Sequence, residues 1–599
     1  MNWIRERIEH CSEAHECAPS TVASSLPTRV IYVGTSPDDI RLVETDCTMA
    51  AAYVCLSHCW GEATPLRTTT ENLAANLASL PWSKIPRTYQ EAITLTRCLG
   101  IEYLWVDSLC IIQDDNADWT RESAEMCNVY EHAYLTIAAT AAENAKQGLF
   151  MHAQRARFSM AGRTPEQPFR VMALGACRHP TDFPVDPSLP FWPLLQRAWV
   201  FQERLLSPRV VHFCDEEVLW ECREHALCEC GFMTDRTTLG KREYSKALNQ
   251  EGPGRIQELW HEMVERYSLL SLSFGADKLP ALAGLARQIS RKRPGSRYLA
   301  GLWSDSVVAD LLWLPTSATA SRPIIWRAPS WSWTSIDGPV KLPLGMWRHS
   351  ELEERRNELV SSYYTVVEVT TSPLAGDEMG GLASASLTIE GTAFPAVLTR
   401  AAADKSAEEP TERHWKLRIL EGEDHLALVP TSHHAPNLGQ QSEQQTTLKF
   451  ARKLRAAAVS LQRRRTKKVA AQEDQDTRVL FLHPSRLEDE HQLYLDDTHA
   501  PLVDHGIDTP EAMIEDTVLC VRMGRSRHIR SIPADTVIEL EYAMVLHRPN
   551  DWSRYRRIGM ITMKRESTEP KDIADPERMW RAGPSCLEKG GKKISVTII

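Results

Sequence analysis

Residues 101–126, "IEYLWVDSLCIIQDDNADWTRESAEM", decide how the N-terminal part of this chain folds. The first half has the apolar density of a strand buried on both faces, as parallel sheets require. Asp107, Ser108, Gln113, Asp114 and Asp115 sit inside or directly after it, and a helix begins close behind at "DWTRESAEMCNVYEHA". Upstream, "PRTYQEAITLTRCL" (86–99) reads as a helix with Pro in its first turn and Gly100 just past its end. "YVCLSHCWGE" (53–62) before it and "YLTIAAT" (134–140) after it read as strands. Strand, helix, strand, helix, strand with short connections implies a parallel α/β sheet.

Working outward, "WIRERIEHC" reads as a short N-terminal helix, followed by strand-like "RVIYVG" and "IRLVET". The helix "QRAWVFQERLL" (196–206) and the strand "RVVHF" complete the unit near residue 230. The expected organisation is a packing segment at 1–44, the α/β domain at 45–230, a helical segment at 231–320 and a β-rich region at 321–599. Within the last, a Gln-, His- and Lys/Arg-rich stretch at about 431–477 reads as a solvated or flexible basic insertion rather than a nucleic-acid patch. "VLFLHP", "TVLCVRM" and "AMVLHRP" then return to strands.

At 599 residues the chain exceeds one hydrophobic core. A net charge of −10 over that length gives no reason to expect nucleic acid as a partner. No apolar run reaches the roughly 18 residues of a membrane span, and the charged start "MNWIRERIEH" lacks a signal-peptide core. A cytoplasmic protein without membrane contact is the expectation. Fifteen cysteines, an odd number placed mainly in apolar segments, suit reduced thiols better than a disulfide framework.

In parallel α/β sheets ligands bind beyond the carboxyl ends of the strands. Two such ends are rich in polar groups: Ser57-His58-Cys59-Trp60-Gly61-Glu62, and Asp107 to Asp115. On a helix of about 100° per residue, Trp119, Met126, Val129, Tyr130 and Ala133 form a core-facing stripe, and Glu122 falls inside it. A carboxylate there is costly unless it is paired or used. It is either a salt-bridged structural residue or part of a site. Cys59, His58 and Asp107 form a poor nucleophile–base–orienter set, because neighbours at a strand end point opposite ways. Cys11, His15 and Cys17 form one Cys/His cluster, and Cys222, Cys228 and Cys230, with His225 nearby, form another. Neither has the C-x2-C spacing of the stronger zinc motifs, so the leading expectation is no metal, with shared zinc as the alternative. No nucleotide-binding glycine motif and no H-E-x-x-H is present.

"YVCLSHCWGE", "LPWSKIPRTYQEAITLTRCLGIEYLWVDSLCIIQDDNADWTRESAEMCNVYEHAYLTIAAT" and "RAWVFQERLLSPRVVHF" together resemble the three blocks of the fungal heterokaryon incompatibility (HET) domain. "DKLPALAGLA", "YLAGLW" and "APSWSWTSIDG" extend the resemblance more loosely to about residue 340. It implies an effector of non-self recognition and regulated cell death, with other incompatibility or signalling proteins, or further copies of its own HET domain, as partners. The family is distantly similar to Toll/interleukin-1 receptor (TIR) domains, which implies a flavodoxin-like parallel sheet. Some TIR domains cleave NAD with a glutamate in a helix after a tryptophan-bearing loop, which "DWTRE" resembles, although here only two residues separate Trp119 from Glu122. The resemblance thus implies Glu122 as catalytic carboxylate and NAD as substrate, with no resident cofactor. Ser57, His58, Trp60, Gly61, Asp107, Ser108, Gln113, Asp114 and Trp119 are the expected substrate-binding residues. A non-enzymatic signalling and self-association module is the alternative, and a repurposed enzyme of secondary metabolism a further one.

Overall fold

The computed structural model describes residues 1–17, 24–46, 48–61, 66–150, 157–163, 168–174, 192–231, 240–249, 253–316, 320–342, 357–374, 376–400, 415–419, 490–495, 515–530, 536–547, 554–567 and 592–599. The expected basic insertion and the "VLFLHP" strand lie outside these residues.

The N-terminal half is built on one eight-stranded sheet. In chain order its elements are α1 (Asn2–Ala14), β1 (Arg29–Tyr32), β2 (Arg41–Glu44), β3 (Tyr53–Ser57), α2 (Arg87–Cys98), β4 (Tyr103–Trp105), α3 (Asp107–Cys110), α4 (Asn116–Glu131), β5 (Leu135–Ala138), α5 (Ala198–Leu206), β6 (Arg209–Phe213), β7 (Val218–Cys222) and β8 (Ala226–Cys228). Across the sheet the order is β8-β7-β6-β5-β3-β4-β1-β2. The four central strands, β6-β5-β3-β4, are parallel, as the alternating strand–helix pattern predicts. The outer four are antiparallel, which corrects the expectation of a parallel sheet to a mixed one. For β6-β7-β8 and β1-β2 the reason is connection length: these strands follow one another directly through short links, and a parallel pair needs a long crossover.

β3 is buried at all five positions. Its alternate side chains are claimed by helices on opposite faces of the sheet. Tyr53 donates its hydroxyl to the Val129 carbonyl of α4 at 2.7 Å, and Ser57, on the same face, reaches α5. α2 packs against β3 and β4 and meets His58. Asp115 starts α4 by accepting from the backbone N–H groups of Ala117 (2.9 Å) and Asp118 (3.3 Å), a standard N-cap. Gly100 follows α2 at φ +74°, the left-handed conformation that ends helices.

The helical expectation after residue 231 is met by helices over Pro253–Tyr267 and Pro280–Lys292, the latter packed on α4 and α5. "APSWSWTSIDGPV", at the start of the region expected to be β-rich, forms mainly turns with a short 3-10 segment at Trp333–Ser335. Its tryptophans are positional all the same. Trp331 and Trp333 are fully buried, and the Trp333 and Trp260 indole N–H groups both donate to the Gly301 carbonyl at 3.0 Å. Gly301 sits at φ +95°, and a Cβ there would lie 2.8 Å from the Trp333 indole nitrogen.

The C-terminal part is a second, antiparallel sheet whose longest described strands are Leu382–Arg400, Glu515–Arg530, Thr536–His547 and Arg556–Ser567. "SLTIEGTAF", "TVLCVRM" and residues Ala543–His547 of "AMVLHRP" fall within its strands, and "YYTVVEVTTS" does so from Tyr364 onward. One hydrophobic cluster runs from Ile4 through the first sheet and the helices to Ile598. Arg557 joins the two halves: its buried guanidinium stacks 3.6 Å from the Trp313 ring centroid and donates to the carbonyls of Leu311 (3.0 Å) and Trp313 (2.7 Å).

Candidate functional site

The four parallel strands, numbered by chain order, stand in the spatial order 2-1-3-4. The connection from β3 to β4 runs through α2 on the His58 side, and that from β4 to β5 through α4 on the Tyr53 side. Connections therefore leave in opposite directions between β3 and β5, the position where doubly wound sheets open a crevice at their carboxyl ends. Ser57 and His58 stand there.

On one face, Ser57 Oγ donates to Glu203 Oε2 of α5 at 2.5 Å. Glu203 also bonds the Tyr130 hydroxyl. Burial pushes its carboxyl up to about 7, against the pull of Arg197 and of the Ser57 bond. On the other face, His58 Nε2 lies 2.7 Å from the Tyr89 hydroxyl, which lies 2.8 Å from Ser108 Oγ. Burial lowers His58 to about 4, so its ring is neutral at physiological pH, although Asp107 Oδ1 stands 3.8 Å from Nδ1 and pulls the other way.

Above these buried groups lies a more open rim. The Trp60 indole donates to Asp107 Oδ2 at 2.8 Å, and Asp107 Oδ1 accepts the Ser108 backbone N–H at 2.7 Å. The Arg197 guanidinium donates to the His58 carbonyl. Gln113 braces this rim from behind, donating to the carbonyls of Asp107 (3.1 Å) and Ile111 (3.0 Å). Gly61, at φ +76°, turns the chain where a Cβ would lie 2.3 Å from Asn144 Cβ. Trp60, Asp107 and Arg197 are half-buried, while Ser57, His58, Tyr89, Ser108 and Glu203 are buried.

Ser57, His58, Trp60, Gly61, Asp107, Ser108 and Gln113 thus share one end of the sheet. The other expected residues have different partners. Asp114 accepts from the Thr70 backbone and hydroxyl, both at 2.8 Å, and these bonds hold its carboxyl below the usual range. Trp119 is half-buried against the core. Glu122 is 4% exposed and lies 3.1 Å from Arg121 Nε and 3.9 Å from the guanidinium of Arg29. Arg29, itself buried on β1, also pairs with Asp118 and donates to the Cys110 carbonyl at 2.8 Å. Burial raises the Glu122 carboxyl and Arg29 lowers it.

Sequence reasoning did not single out Glu203, Tyr89, Arg197 or Tyr130. One signal was available for Glu203. "AWVFQERLL" sets Gln202, Glu203 and Arg204 in an otherwise apolar helix, and all three are buried. Arg204 and Glu221 form a buried ion pair next to His212, and burial lowers that imidazole below its ordinary value. Glu203 faces the strand end instead. Of the metal candidates, Cys11, His15, Cys17 and Cys222 converge, and Cys228 and Cys230 meet Glu217. Among the described residues no helix is long and apolar enough to cross a membrane.

Residues 53–203 match the family model described as Heterokaryon incompatibility protein (HET), so the chain carries a HET domain over that span. The match begins with β3 and ends at Glu203, enclosing both faces of the strand-end cluster. No curated protein and no solved structure matches the chain significantly.

Proposed function

We propose that this HET-domain chain acts in heterokaryon incompatibility as an effector of non-self recognition and regulated cell death, and that its strand-end cluster hydrolyses NAD. The observation that carries the enzymatic part is Glu203, a carboxyl near 7 bonded to Ser57 at the switch point of the sheet. The 2-1-3-4 strand order is that of flavodoxin-like sheets, whose ligands occupy this position. It also supports the distant likeness to TIR domains.

Hydrolysis of the nicotinamide–ribose bond adds water to the ribose C1′. Nicotinamide leaves with the electron pair of the broken bond, and the proton lost by water passes to solvent or to a base. The transition state carries positive charge on the ribose, which an ionised carboxylate stabilises. Glu203 supplies that charge in its ionised form, which prevails only above about pH 7; Asp107 binds ribose hydroxyls, Trp60 stacks on a ring, and Arg197 faces phosphate. Glu122, the carboxylate implied by the family resemblance, is the second candidate for the same role.

Purified full-length protein incubated with NAD tests this. Release of nicotinamide by the wild type, lost in Glu203→Gln and kept in Glu122→Gln, is the expected result. Loss in Glu122→Gln alone would move the role to that residue. No release by the wild type at high protein concentration would sink the enzymatic part. The ion pairs around Glu122 favour a second reading, a non-enzymatic module that signals by self-association. Concentration-dependent assembly in light scattering, unchanged by either substitution and without nicotinamide release, supports it.

A further inference from the structure

Cys11 lies in the last turn of α1, and His15 and Cys17 follow directly. Cys222 ends β7 on the far side of the sequence. The fold brings one donor atom from each of the four within 4.8 Å of all the others, and Cys222 Sγ stands 3.5 Å from His15 Nδ1. A tetrahedral zinc with Zn–S of about 2.3 Å and Zn–N of about 2.05 Å requires S···N separations of about 3.5 Å and S···S separations of about 3.8 Å. The cluster needs only a small contraction to meet both. We infer that Cys11, His15, Cys17 and Cys222 form a structural zinc site that clasps the N-terminal helix to the edge of the sheet.

The surroundings suit thiolates. Arg209 Nε donates to Cys11 Sγ at 3.3 Å, and the His225 backbone N–H donates to Cys222 Sγ at 3.3 Å. Such donors to metal-bound sulfur are the usual outer support of zinc–thiolate centres. Three thiolates and one Zn²⁺ leave a net charge of −1, and the buried guanidinium of Arg209 balances it. Arg209 is itself fixed by Ser12 Oγ at 3.0 Å, and the His225 ring packs 4.7 Å from that of His15. All three sulfurs are buried. A disulfide would use two of the three thiols and leave the histidine without a purpose, whereas zinc uses all four donors. Four protein ligands leave no open position, so the metal holds structure and does no chemistry. Glu217, Cys228 and Cys230 offer only three donors and serve as the internal control.

The test is the zinc content of the full chain purified without chelator, measured by plasma mass spectrometry. The wild type is compared with Cys11→Ser, Cys222→Ser and the double variant Cys228→Ser/Cys230→Ser. One equivalent is expected to disappear in each of the first two and to remain in the third. Should the serine variants fail to fold, the wild type alone decides. Zinc must protect Cys11, Cys17 and Cys222 from alkylation, as mapped on peptides, and cobalt must give the charge-transfer bands of a tetrahedral thiolate site. A zinc-free wild type after zinc supplementation, an unchanged content in Cys222→Ser, or a disulfide among these three cysteines in the isolated protein overturns the inference.

Discussion

Ser57 and His58 are adjacent in the chain, yet they bond to helices on opposite faces of the sheet, Ser57 to Glu203 of α5 and His58 to Tyr89 of α2. The strand end therefore pins both layers at once. Ser57→Ala removes the donor to a buried carboxyl, and Tyr89→Phe removes the hydroxyl between His58 and Ser108. Each is expected to cost about 1–3 kcal/mol in urea unfolding, the range for a buried polar group left without its partner. Because both bonds start from adjacent residues of one strand end, the losses in the double variant should depart from additivity by about 0.5 kcal/mol or more.

Glu203 titrates near 7 in the folded chain against an ordinary value of 4.5. Between those values the native state holds the extra proton, so this group's contribution to stability is complete below about 4.5 and declines as pH rises through 7. Glu203→Gln keeps an acceptor for Ser57 and never ionises. Its stability relative to the wild type is expected to rise by on the order of 3 kcal/mol between pH 5 and pH 8, read from thermal or urea unfolding at each pH. A flat difference across that range would show that Glu203 is not held protonated.

His58 has the opposite sign. Its folded value of about 4 lies below the ordinary 6.5, so the unfolded chain takes up the proton first and stability is lost as pH falls through that window. In NMR spectra the His58 ring resonance should stay at its neutral position down to about pH 5. Titration near 6.5 would mean that the ring reaches water.

Arg29 is the buried counter-charge shared by Asp118 and Glu122, which the more exposed Arg121 also pairs, and Arg29 and both carboxylates are buried. Arg29→Met is expected to destabilise by about 3–5 kcal/mol, as when one member of a buried ion pair is removed. Asp118→Asn and Glu122→Gln added to that background should recover part of the loss. Failure to recover any of it would assign the cost to the lost bond with the Cys110 carbonyl and to packing.

The central strands and the helices between them were legible because each carries an undiluted signal. Apolar runs such as "YLWV" end at polar clusters, and "PRTYQEAITLTRCLG" has its stop and start residues in place. The edges were not legible in the same way: β1 and β2 read as strands, β7 and β8 were not read as strands, and nothing local says whether an edge pairs parallel or antiparallel. At the site, the strand-end residues Ser57 to Gly61 and Asp107 to Gln113 announced themselves as polar groups following buried strands. Glu203 did not, because its partner is 146 positions away and a helix buried on all sides leaves no polar face to read. Glu122 was singled out for falling on an apolar stripe. That stripe also met Arg29 of β1, a pairing invisible to any helical projection.

Arg29 has one more consequence, for anyone who would express the HET match by itself. A fragment cut at residues 53 and 203 discards β1 and the buried guanidinium that pairs with Asp118 and Glu122, leaving the more exposed Arg121 to face both. It also strips the covering strand from β4, leaving a bare edge open to other chains, and severs α5 at its middle. The stretch that sequence comparison recognises is thus shorter than the piece that can stand alone, and insoluble fragments would report on the scissors rather than on the protein.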